Sequence, residues 1–192
     1  MNGLFFFGGI QLAATYRGLV WETKQGFTRI SRLIDDLIAE WETTSVDFKR
    51  ELHLDTADQK AEFIKDVLSL VNTKASGRRW MVIGFDDRSR TYYGAPDQGI
   101  TKNRIEQILA MYTNSCVDVQ YNLVDYRGES VGMLEVIRDP QKLPYRVARS
   151  IGEKKRIEQG DLYVRHGSQV EKPTPLEEQA LIDEGNQARS NP

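Results

Sequence analysis

The chain of 192 residues carries a single cysteine, Cys116. One thiol excludes an internal disulfide framework and a thiolate zinc cluster, and it is the cysteine usage expected of a reducing cytoplasm. Histidine is as scarce. His53 and His166 are the only two, too few for a His-rich metal centre, so any hydrolytic chemistry must rest on carboxylates. Charge of one sign is also lacking. Lys and Arg number 26 against 28 Asp and Glu, a net of -2, which excludes a generally DNA-coating protein. No apolar run approaches the roughly 20 residues that span a bilayer. The N-terminal stretch Leu4-Phe5-Phe6-Phe7 is broken by Gly8, Gly9 and Gln11, and no Lys or Arg precedes Arg17, so it lacks the basic start of a secretory signal. The expectation is a soluble, cytoplasmic protein that does not enter a membrane.

What is present is enough apolar residue, 40%, to build a core, with 28% charged residues to solvate it. The length suits one domain with modest extensions. We expect an N-terminal extension over 1–27, one domain over 28–187 and a short tail over 188–192. The cations are unevenly spread. Residues 138–172 hold nine basic against five acidic side chains, a net of +4, while 1–137 and 173–192 are each at -3. A surface patch for a polyanion requires such a concentration.

Hydrophobic spacing sketches the elements. Ile30, Leu33, Ile34, Ile38 and Trp41 recur at three and four residues, predicting a helix over 28–42. Residues 45–49 alternate like a short strand. Thr56 or Asp58 caps a helix striped by Phe63, Ile64, Val67, Leu68 and Val71 and ending near Asn72. Trp80-Met81-Val82-Ile83-Gly84-Phe85 reads as a central strand buried on both faces. After a turn at 86–89 come an edge strand at 91–93, a helix over 101–112 and a hairpin of 117–126 with 130–137. Short strands at 145–148 and 162–165 flank a charged loop at 151–156, and Thr174 starts a last helix reaching about 184. The fold class is α+β, a single domain with a mixed sheet of about five or six strands and three or four flanking helices.

No GxxxxGK(S/T), GxSxG, HExxH or CxxC motif occurs, and Gly84 with Gly94 makes no dinucleotide fingerprint. Three other segments stand out. They are Glu42-Thr43-Thr44-Ser45-Val46-Asp47-Phe48-Lys49, then Val71-Asn72-Thr73 with Met81-Val82-Ile83-Gly84-Phe85-Asp86-Asp87, and Asp161-Leu162-Tyr163-Val164-Arg165-His166-Gly167-Ser168. In this order they resemble the Schlafen AlbA-type domain, a divergent relative of Alba nucleic-acid-binding proteins. That family runs E-S-x-x-x-E-F-K, a helix ending A-N-T-x-G-G, a strand L-x-I-G-V-D-D, and late Y-x-R-x-G-S. The resemblance spans residues 38–181. This chain departs from it in carrying Asp47 for the second Glu and Lys74-Ala75-Ser76-Gly77-Arg78-Arg79 where paired glycines are usual.

The resemblance implies nucleic-acid binding and, in animal Schlafens, a metal-dependent RNA cleavage. Carried over by position, the catalytic acids would be Glu42, Asp47 and either Asp86 or Asp87, with Glu42, Asp47 and Asp87 as ligands of Mg²⁺ or Mn²⁺. Three converging carboxylates repel unless a cation sits among them, and such a cation could lower the pKa of a bound water. Glu42 and Asp47 are five apart, however, and on one strand that spacing sends them to opposite faces. They meet only if the chain turns between them. The competing structural reading makes Glu42 a helix-end acid, pairs Asp47 with a base, and uses Asp86 and Asp87 in an Asx turn.

The cationic candidates for phosphate contact are Lys49, Arg78, Arg79, Arg146, Arg149, Lys154, Lys155, Arg156 and Arg165. Tyr145 and Tyr163, interleaved with them, are either base-stacking rings or core aromatics. Arg165 has a second reading as a structural group held by Asp86 or Asp87. The expectation is a nucleic-acid-binding module of low sequence specificity. The alternatives are a divalent-metal ribonuclease and a protein-interaction module, a homodimer built through the apolar leader.

Overall fold

The computed structural model describes residues 24–86, 88–97 and 99–191. The leader at 1–23, with the apolar stretch on which the homodimer reading leans, lies outside them, as does Asp87. Helix α1, Lys24–Glu40, lays Ile30, Ile34 and Leu37 on one face. It ends where Trp41 takes a left-handed backbone, φ 60°, and its N–H donates to Leu37. Strand β1, Val46–Lys49, follows. Helix α2, Ala57–Asn72, starts at Thr56 in a capping box with Gln59.

Strand β2, Arg79–Ile83, is buried along its whole length, as a continuous apolar run demands of a central strand. It pairs parallel to β1 and antiparallel to β6, Glu129–Ile137, which closes a hairpin with β5, Asp118–Tyr126. Arg127 and Gly128 both have positive φ in that turn, matching the twist of the flanking strands. The main sheet is therefore four strands in the order β1-β2-β6-β5. The remaining strands form two small ribbons, β3 (Phe85–Asp86) with β4 (Thr91–Tyr92), and β7 (Val164–His166) with β8 (Gln169–Glu171). Helix α3, Lys102–Tyr112, is capped by Thr101, and α4, Pro175–Ser190, by Thr174.

Strand alternation divides the core in two. Trp80, Val82, Met133 and Val131 face α1, together with Phe48 and Phe85. Met81, Ile83, Leu134 and Val136 face α2 and α3. The α+β architecture with four helices is as expected; the main sheet has four strands rather than five or six, Phe85 leaves the central strand for β3, and other boundaries differ. Residues 145–148 contribute only an isolated bridge, Thr113 to Val147. Helix α1 begins at Lys24, and α4 runs on through Ser190. That last helix approaches so closely that a Cβ added at Gly185 would lie 2.4 Å from the Leu143 carbonyl oxygen.

Candidate functional site

Val46 and Phe48 point into the α1 core, so alternation turns Asp47 and Lys49 toward α2. There they meet Asp66, an acid set inside the apolar stripe of that helix. Lys49 Nζ lies 3.1 Å from Asp47 Oδ2 and 2.7 Å from Asp66 Oδ2. Arg165 Nη1, from β7, donates to the other Asp47 oxygen at 3.0 Å. Glu42 joins them because the chain turns between helix and strand, with Thr43 N–H donating to Val46 O at 3.1 Å. There Asp47, Arg165 and Lys49 all act on the Glu42 charge. The five-residue spacing that would separate Glu42 and Asp47 on a strand is thus overcome by the turn.

The electrostatics follow the packing. Burial, and then Asp47, push the Glu42 carboxyl up. Burial, and then Asp47, push Asp66 up to about 6. Burial opposes the Lys49 charge, yet Asp47 and Asp66 outweigh it and hold the ammonium above the usual lysine range.

The three sequence segments interlock here. Asn72, at the end of α2, donates to the Tyr145 and Tyr163 carbonyls at 2.8 and 3.2 Å and accepts from the Tyr145 N–H. Thr73 Oγ1 accepts from the Arg165 N–H at 2.7 Å and donates to Ser69 O. Arg165 Nη2 reaches Ser168 O, while its Nε is buried without a hydrogen-bond partner. Beside this latch a cleft of about 610 Å³ opens between the end of α2, β7 and α4, lined by Asn72, Thr73, Lys74, Arg165, His166 and Glu184 among others. His166 Nε2 sits 2.6 Å from Glu177, which also completes the α4 capping box.

With Asp86 as its third acid, the expected catalytic triad is not assembled. Asp86 lies elsewhere, its carboxylate accepting from Arg88 N–H, Ser89 N–H and Ser89 Oγ as an Asx turn, with Arg50 3.8 Å away. Asp87 is outside the described residues. The acid that does join Glu42 and Asp47 is Asp66, and an ammonium already lies between Asp47 and Asp66. That ammonium already supplies the positive charge a divalent cation would bring, although the Asp47 Oδ2 it faces is buried and accepts no hydrogen bond. Among the described residues no three Asp, Glu, His or Cys side chains are arranged to hold a metal.

The cationic candidates separate into buried and exposed sets. Arg165, 2% exposed, is structural, and its partner is Asp47 rather than Asp86 or Asp87. Arg79, also buried, donates to the Leu70, Thr73 and Ala75 carbonyls and so caps the C-terminus of α2. Lys49 is held by its two acids. Tyr145 and Tyr163 are core rings. Arg146 is held by Glu178 and the Gly160 carbonyl, and Arg78 lies 3.5 Å from Glu135.

The loop at 151–156 is different. Ile151 and Ile157 exchange two backbone hydrogen bonds at its base. Asp58, in the first turn of α2, accepts from the N–H groups of Glu153, Lys154 and Lys155 at 2.6, 3.1 and 3.2 Å. Those donors hold the Asp58 carboxyl below its usual range. The loop therefore presents Lys154, Lys155 and Arg156 from a fixed backbone. Lys155 pairs with Glu62 and Arg156 with Glu158, all four well exposed. Among the described residues, Lys154 and the nearby Arg149 make no side-chain ion pair or hydrogen bond, and both are exposed.

Residues 42–174 match the family described as Schlafen, AlbA_2. The chain belongs to that family. No functionally curated protein matches it. Among solved structures it is similar to the DIP2311 protein from Corynebacterium diphtheriae (TM-score 0.49, 16% identity), covering 76% of this chain and 27% of that one. It is similar also to the N-terminal domain of a protein from Nitrosomonas europaea named as related to the ATP-dependent DNA helicase RecG. That match has a TM-score of 0.47 and 18% identity and covers 75% of this chain and 92% of that domain. The chain thus spans about a quarter of the Corynebacterium protein's length. Among the described residues no helix is long and apolar enough to cross a membrane.

Two features escaped sequence reasoning. Asp66 could have been found as the one acid on the buried stripe of α2, three residues after Phe63. The clasp of Asp58 on the 153–155 amides had no sequence signal, because its partners are more than 90 positions away.

Proposed function

We propose that this domain is a nucleic-acid-binding module that takes DNA or RNA with little sequence specificity. The observation that carries the reading is the pinned cationic loop. Three consecutive cations, Lys154, Lys155 and Arg156, stand on a backbone fixed by Asp58, with the unpaired Arg149 close by in the chain. A fixed backbone lowers the entropy lost when long side chains engage phosphates, and phosphate contacts carry affinity without reading sequence. The loop's ion pairs do not oppose this. Exposed pairs contribute little, so a phosphate oxygen can replace Glu62 or Glu158. Membership of the Schlafen AlbA_2 family supports the same reading. The ribonuclease alternative draws no support from Glu42, Asp47 and Asp86, since a lysine and an arginine already neutralise Asp47 and Asp86 caps its own turn.

The test is binding of labelled DNA and RNA across a salt series, with and without Mg²⁺ or Mn²⁺, scored for retention and for cutting. Log affinity should fall linearly with log salt. Replacing Lys154, Lys155 and Arg156 together with Ala should flatten the slope by about 2 to 3, at roughly 0.7–0.9 per lost phosphate contact, with the unfolding midpoint unchanged. Salt-independent binding, or an unaffected triple variant, overturns the proposal. Metal-dependent cutting would restore the ribonuclease reading.

A further inference from the structure

A second exposed cluster lies on the β3–β4 ribbon. Phe85 packs inward against Phe48, and Tyr92 meets it edge-on, so the ribbon is anchored to the core beneath it. Tyr93 is fixed through its N–H, which donates to Gly84 O at 2.7 Å, while its ring turns outward. At 44% exposure it is the one aromatic among the exposed large hydrophobic side chains of the described residues. The Arg50 guanidinium lies 3.7 Å from its ring centroid and is itself half exposed. Arg88 and Arg90 flank the turn, both exposed, and neither forms an ion pair among the described residues. Arg90 holds a left-handed backbone, φ 55°, and its guanidinium lies 5.3 Å from the centroid of the Trp41 ring, with the residue still exposed. Asp86, the acid of this cluster, has Oδ1 taken by its own turn, and its Oδ2 lies 3.8 Å from the Arg50 guanidinium.

We infer that this ribbon is a second nucleic-acid contact, on which an unpaired base stacks against the Tyr93–Arg50 pair while Arg88 and Arg90 engage the adjoining phosphates. The inference rests on the nucleic-acid reading above and narrows it to strands with exposed bases. An aromatic ring and a guanidinium plane are both stacking platforms that accept any base, and they are useless to a base inside a duplex. The ring is pre-positioned. Arg50 covers one side, and the Tyr93 backbone is bonded to Gly84, where the chain passes so closely that a Cβ would lie 3.0 Å from the Gly94 carbonyl oxygen. The loop at 151–156 offers charge without an exposed ring, so the two surfaces differ in what they can recognise.

The experiment compares short labelled single-stranded DNA and RNA with the matching duplexes, using the full chain, Tyr93→Ala, Tyr93→Phe, the double variant Arg88→Ala with Arg90→Ala, and the loop triple variant. Tyr93→Ala should weaken single-strand binding by about 5- to 160-fold, the range of one lost base stack. It should leave duplex binding unchanged, and Tyr93→Phe, which keeps the ring, should bind as the native chain does. The double arginine variant should flatten the single-strand salt slope by about 1.4. If Tyr93→Ala changes neither substrate, or both equally, while the loop variant still weakens binding, the ribbon inference fails and the functional reading stands. If the native chain retains no nucleic acid, the functional reading fails with it. Losses on DNA and RNA alike would place recognition at the base face, and a loss on RNA alone would bring in the 2′-hydroxyl.

Discussion

Two clusters of charge in this domain have nearly the same composition and opposite character. Around Asp47, two cations and three acids are drawn from α2, β1, β7 and the turn before β1, and Arg165 and Asp47 are almost wholly buried. In the loop at 151–156 three cations face Glu62 and Glu158 in open solvent. The first cluster answers to desolvation. A buried charge that loses its partner has nothing to replace it, so these groups bind one another and are withheld from any ligand. The second answers to water and salt, so its cations can exchange one anion for another. Residue type alone does not separate the two, and Arg165 and Arg156 read alike until their surroundings are known.

The largest expected effect tests the buried side. Arg165→Ala leaves Asp47 with Lys49 as its one counter-charge and removes a donor to Ser168, and should cost about 3–5 kcal/mol of stability by urea unfolding. A cost under about 1 kcal/mol would break the contrast. Next comes pH. The folded state holds the Asp66 proton up to about 6, above its ordinary 3.8, so this group's stabilisation is full below about pH 4 and lost as pH rises through 6. Glu42 acts in the same direction. The stability difference between the native chain and Asp66→Asn should therefore shift across pH 4–6, by at most about 3 kcal/mol, and a flat difference would show Asp66 to be solvated.

A smaller effect sharpens the exposed side. Asp58→Ala should leave the fold intact but speed amide hydrogen exchange at Glu153, Lys154 and Lys155 by at least about tenfold, since a bond to a charged acceptor contributes about 1.5–3 kcal/mol in general. Unchanged exchange would mean the loop is held by its Ile151–Ile157 base alone. The smallest effect is at His166, whose imidazole Glu177, and then Glu171, hold above 6.5. Its contribution is present below 6.5 and fades as pH rises through the raised value. An NMR titration should place it above 6.5 and return it toward that value in Glu177→Gln.

Much of the scaffold was legible from the chain. The stripes of α2 and α3, the Thr56, Thr101 and Thr174 caps, the buried run of β2 and the β5–β6 hairpin all follow from repeats of two or 3.6 residues and from side chains reaching three positions along. The motif residues Asp47, Asn72, Thr73 and Arg165 were also legible as a group. Their role was not, because chemistry-bearing motif residues and buried polar framework look the same in sequence. Arg79 reads as part of a basic patch and proves to be a helix cap nine residues back. Asp86 reads as a catalytic acid and proves to be a turn residue. Tyr93 and Arg50 lie 43 positions apart and show no pattern.

Local order came from the chain alone, because helical and strand periodicity depend on neighbours within a turn or two. Which acid meets which base, which arginines are sealed inside and which remain on the surface came only with the tertiary structure. Burial and partnership are set by residues tens of positions away, and the cost of desolvating a charge has no meaning until the surrounding side chains have been brought into contact.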